Sequence, residues 1–163
     1  MGCRIHCREG GAPAVGAVNP RAILAAHCNT IEETYEFMLA YAAQGLTGDA
    51  GSHSGGQLRE FLNRAAGALT EVTGVLRTII QEENLQSAEK YGGFLAVMER
   101  DAQDSLAAIQ MVVSQPSISS QLVDNLNASI HLRALLTDLF LIDEIVKTLP
   151  APPAKPGDAE SQI

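Results

Sequence analysis

The stretch LREFLNRAAGALTEVTGVLRTII, residues 58–80, decides the fold class. Its apolar residues Leu58, Leu62, Ala65, Leu69, Val72, Leu76 and Ile79 alternate steps of four and three. That spacing places them on one seam of an α-helix and packs the seam against neighbouring helices as knobs into holes. Phe61, Val75 and Ile80 widen the seam beyond a simple two-stranded zipper. On another stripe stand Gly67, Thr70 and Gly74. Two glycines inside a helix cost roughly 1 kcal/mol each against alanine. Close approach of a further helix, from the same chain or a second copy, is the expected compensation.

Three more segments carry a helical period. Upstream, Asn19-Pro20 is a cap followed by proline at the first helical position, and the segment runs to about Gly45. Ile31, Tyr35, Met38 and Ala42 line its face, and Thr30 to Glu33 has the capping-box form, which predicts a kink or restart near Asn29. A long Gly/Ser loop follows, with a further box at Ser54 to Gln57. Downstream, Tyr91, Phe94, Met98, Ala102, Leu106, Ile109 and Val113 mark a third helix. A fourth spans about Ser119 to Leu149 on the broad face Leu122, Leu126, Ile130, Leu132, Leu135, Leu139, Ile142, Val146 and Leu149. The expectation is an all-α, up-down four-helix bundle over residues 19–149.

Flanking stretches have no such pattern. Residues 1–18 are rich in glycine and alanine without periodicity, and 150–163 hold four prolines, so both are expected to be disordered. Aromatic residues make up only 4% and tryptophan is missing, so the core must be aliphatic, which suits helix on helix better than sheet on sheet.

Charge excludes whole classes of partner. The net charge is −8, with 11 scattered Lys and Arg, so no basic stripe exists to neutralise nucleic-acid phosphates or to settle on an anionic membrane. No apolar run approaches the ~18 residues of a spanning helix, and no secretory leader is evident. The expected location is therefore the cytoplasm. Three cysteines, an odd number, do not make a disulfide framework.

Chemistry-bearing residues are few. Cys3, His6 and Cys7 with His27 and Cys28 supply the right atoms for zinc, at a spacing that matches no standard module. His131, with Asp124, Asn127 and Asp138 on nearby turns, is the candidate nucleophile of a phosphotransfer domain, and His27 is a second. The usual His-x-x-Lys-Gly form is absent at both. Glu32, Glu33 and Glu36 read as a solvated face, because the Glu-x-x-His of di-iron bundles does not occur. Phosphate-cradling and dinucleotide glycine loops are also missing. No cofactor is expected. The functional expectation is a non-enzymatic adaptor, regulatory or chaperone-like protein that binds protein partners and self-associates as a homodimer. Gly67, Thr70, Gly74, Leu135, Leu139 and Ile142 are the expected interface; phosphotransfer and a metal-binding bundle are the alternatives.

Overall fold

The computed structural model of the chain describes residues 19–85 and 87–150. Cys3, His6 and Cys7, and the two stretches expected to be disordered, lie outside these apart from Pro150. The described residues form five helices and no strand: α1 (Pro20–Ala42), α2 (His53–Glu82), α3 (Ala88–Val113), α4 (Ser120–Asn127) and α5 (Ile130–Thr148).

Local chemistry explains most of the boundaries. The Asn19 side chain accepts from the Arg21 amide at 3.0 Å, with proline at the first position as the sequence implies. The restart expected near Asn29 does not occur. Thr30 Oγ1 donates back to the Ala26 carbonyl at 2.9 Å, so its hydroxyl serves the preceding turn instead of capping a new one. At α2 the working cap is Ser52, whose hydroxyl accepts from the Gly55 amide at 3.0 Å, so the helix starts before the box at Ser54. The α2–α3 link is tight, with Asn84 and Ser87 in the left-handed region at φ +48° and +66°.

All seven seam residues of α2 are buried, none more than 3% exposed. They meet Leu24, Ile31 and Met38 of α1 and Met98, Ala102 and Ile109 of α3 in one continuous aliphatic core. Phe37 and Phe61 stack beside it with centroids 4.6 Å apart. Neighbouring helices are antiparallel: α1 packs on α2, α2 on α3, α3 on α4 and α5, and these two close back on α1. Across the body, α1 and α3 stay apart, as do α2 and the α4–α5 pair.

The fourth helix expected from the sequence is two. Leu126 and Leu132 are both buried, whereas Ile130, four residues after Leu126, is not. Unbroken, the helix would carry Ile130 inward. The chain instead breaks at Ala128–Ser129, α5 starts in a new phase, and Ile130 is left 75% exposed.

Each end of the body is closed by one arginine. At the loop end, Arg59 donates to Asp49 Oδ2 at 2.5 Å and to the Val113 and Gln115 carbonyls at 2.9 Å each. Asp49 Oδ1 also accepts from the Ile118 amide at 2.7 Å. Tyr41 Oη donates to the Ile118 carbonyl, and Ser120 Oγ to the Tyr41 carbonyl. At the opposite end Arg21 donates twice to Glu83 (2.8 and 2.6 Å) and also to the Leu149 and Pro150 carbonyls. Both guanidiniums thus collect carbonyls that a helix C-terminus leaves unpaired.

Candidate functional site

The seam between α3 and α5 carries a group of ionisable side chains and an apolar cleft outside the core. Because the two helices run antiparallel, the early part of α5 lies beside the middle of α3, and the late part of α5 beside its start. The upper part of the seam is polar and the lower part apolar.

In the upper part, the first turn of α5 sets His131 against α3. Its Nδ1 lies 3.4 Å from Asp104 Oδ2 and 3.9 Å from Asp101 Oδ1. Asp101 and Asp104 are three apart on α3 and therefore share a side of that helix. Seven residues along α5, on the same face as His131, Asp138 keeps a buried Oδ2 with no hydrogen-bond partner. Burial, with Asp101 adding to it, raises the Asp138 carboxyl above its ordinary value.

In the lower part, Tyr91 and Phe94 of α3 and Leu141 and Ile145 of α5 line an apolar cleft of about 380 Å³ with Lys90 at its rim. Leu141 is 51% exposed, and so is Phe140, one step around α5.

Other expected site residues land elsewhere. Leu135, Leu139 and Ile142 are 0% exposed in the core of a single chain. Their expectation as interface residues is therefore corrected: the large apolar residues of α5 that face solvent are Ile130, Phe140 and Leu141. Gly67 and Gly74 are exposed, and a Cβ at either would meet nothing, so among the described residues no other helix packs on these two glycines. Thr70 donates to the Ala66 carbonyl on the same outward face. His27 is largely covered, with Nε2 3.4 Å from Glu71 Oε2 on α2. Cys28, one step around α1, is buried beside α5, where burial and then the Asp143 and Glu32 charges push its thiol up to about 12. Consecutive helix positions point about 100° apart, and these two face different neighbours, His27 towards α2 and Cys28 towards α5.

The residues around His131 differ from those its own helix implies. The break at Ala128–Ser129 separates it from Asp124, while Asp101 and Asp104 arrive from α3. No sequence signal marks them, since both read as ordinary charges on the polar side of an amphipathic helix. Two carboxylates beside the imidazole repel an incoming phosphoryl group and attract a cation. Comparison with known proteins finds no matching family model, no matching curated protein and no matching solved structure.

Proposed function

We propose that the chain is a non-enzymatic helical interaction module whose working face is the lower α3–α5 seam, and that its first partner is a second copy of itself. The observation that carries this reading is the apolar cleft of Tyr91, Phe94, Leu141 and Ile145, with Leu141 half-exposed on its wall. Single exposed hydrophobics are ordinary, but an apolar cleft between two helices with a half-exposed leucine on its wall marks a place where another surface settles. On a chain of net charge −8 the cleft is lined by Lys90 and by no acidic residue, so two like-charged copies meet there with least repulsion.

The rest of the body serves as a scaffold. We infer that α4 and α5 together take the fourth position of an up-down four-helix bundle, which the pattern of neighbours supports. Such a scaffold presents one helix pair rigidly and leaves its opposite face, with Gly67 and Gly74, open.

Light scattering on the purified chain tests the proposal. The expected mass at micromolar concentration is twice the 17.3 kDa of one chain. Phe140→Glu with Leu141→Glu should return it to one chain without loss of helix content, since both side chains are half in water already. A dimer that survives this pair of substitutions, or a strictly monomeric parent, overturns the reading.

A further inference from the structure

We propose that Asp101, Asp104 and His131 form a binding site for a divalent transition-metal cation, one that ties α3 to α5 in the upper seam. Geometry is the first support. One donor atom from each residue lies within 4.8 Å of the other two. Ligands held about 2.1 Å from a tetrahedral ion are themselves about 3.4 Å apart. The observed separations of 3.4 and 3.9 Å from Nδ1 are therefore at or near coordinating distance without any backbone movement.

The donor set is the second support. One imidazole nitrogen with two carboxylate oxygens suits zinc, manganese or ferrous iron better than calcium or magnesium, which prefer oxygen throughout. His131 and Asp104 are half-exposed, so water completes the coordination shell.

Charge is the third support, independent of the first two. Among the described residues, His131 is the only basic side chain within ion-pair distance of Asp101 or Asp104. The Asp138 carboxylate adds to the same excess, its Oδ2 buried and without a hydrogen bond. A single imidazole does not balance these groups, whereas a dication does.

Mn²⁺ titrated into the full-length ¹⁵N-labelled chain tests the site. Mn²⁺ favours oxygen and nitrogen over thiolate, which keeps Cys3, Cys7 and Cys28 out of the competition. Paramagnetic broadening should centre on Asp101, Asp104 and His131. His131→Ala and Asp104→Asn should each raise the Kd by at least about tenfold, and Zn²⁺ should displace the probe. Both side chains are half in water, so each variant should keep its thermal unfolding midpoint in the absence of metal. Broadening centred elsewhere, no localised broadening at millimolar Mn²⁺, or a Kd unmoved by His131→Ala overturns the proposal. The last outcome would reduce the site to diffuse attraction by carboxylates.

Discussion

The two ends of the body solve the same problem with unequal means. Both set a guanidinium under the carbonyls of a helix C-terminus and balance it with a carboxylate. At the Arg21 end the balancing group is Glu83, a long side chain in the α2–α3 link whose oxygens bond only Arg21. At the Arg59 end it is Asp49, a short side chain held in addition by the Ile118 amide. A carboxylate on a long tether swings into water when its partner is lost. One held from two sides stays buried and uncompensated. The difference teaches that the stability of an ion pair depends on whether the survivor can escape.

The largest expected contrast follows. Arg59→Ala should cost about 3–5 kcal/mol, the usual cost of stranding a buried charge. Arg21→Ala should cost less, since Glu83, although covered about as well as Asp49, has no second partner to hold it in place. Urea unfolding of both variants measures this, and equal losses would break the comparison. Next in size is Gly55→Ala. A methyl at Gly55 would run into the Asp49 backbone carbonyl, so the loop end should lose about 1–3 kcal/mol to overpacking. Gly67→Ala, on the open side of the same helix, should go the other way, gaining about 1 kcal/mol of helix propensity. A gain at Gly55 would mean that the loop end yields easily.

The smallest contrast appears in acid. Burial pushes the Asp49 carboxyl up, but the hydrogen bonds from Arg59 and the Ile118 amide outweigh it, so it lies below its ordinary value of 3.8. A carboxyl depressed by folding stabilises the native state above its unfolded value and loses that contribution as pH falls through the folded one. Asp138 is raised, so its protonation favours the native state in the same descent. Asp49→Asn should therefore flatten the loss of thermal stability below about pH 4. A profile identical to that of the parent would remove Asp49 from acid unfolding.

Legibility followed the length of the periodic signal. The α2 seam runs through seven consecutive positions, and every one is buried. Asn19-Pro20 also capped α1 as its chemistry implies. The α4–α5 break carries no such signal: spacing alone puts Ile130 on the face of Leu126, four residues earlier, and only the structure shows it exposed. Greasy residues on either side hid the slip, because Ile130 looked like a member of the face. On the α3–α5 seam, His131 stood out as a residue type, but its partners did not. Asp101 and Asp104 come close to it only because antiparallel packing brings the middle of α3 beside the first turn of α5. No spacing within one helix encodes that meeting. Phe140 and Leu141 were passed over for the opposite reason. They sit in an apolar run, where hydrophobicity alone does not say which side faces water.

The Arg21 clasp has a bearing on how this body could be rewired. Because Arg21 holds the carbonyls of Leu149 and Pro150, the polypeptide enters and leaves the helices at a single doorway. A short tether across that doorway, with a new opening cut at the exposed Gly51, would give a circular permutant with the same packing. The same doorway would let the whole body be spliced into a surface turn of a host protein without prying the host apart.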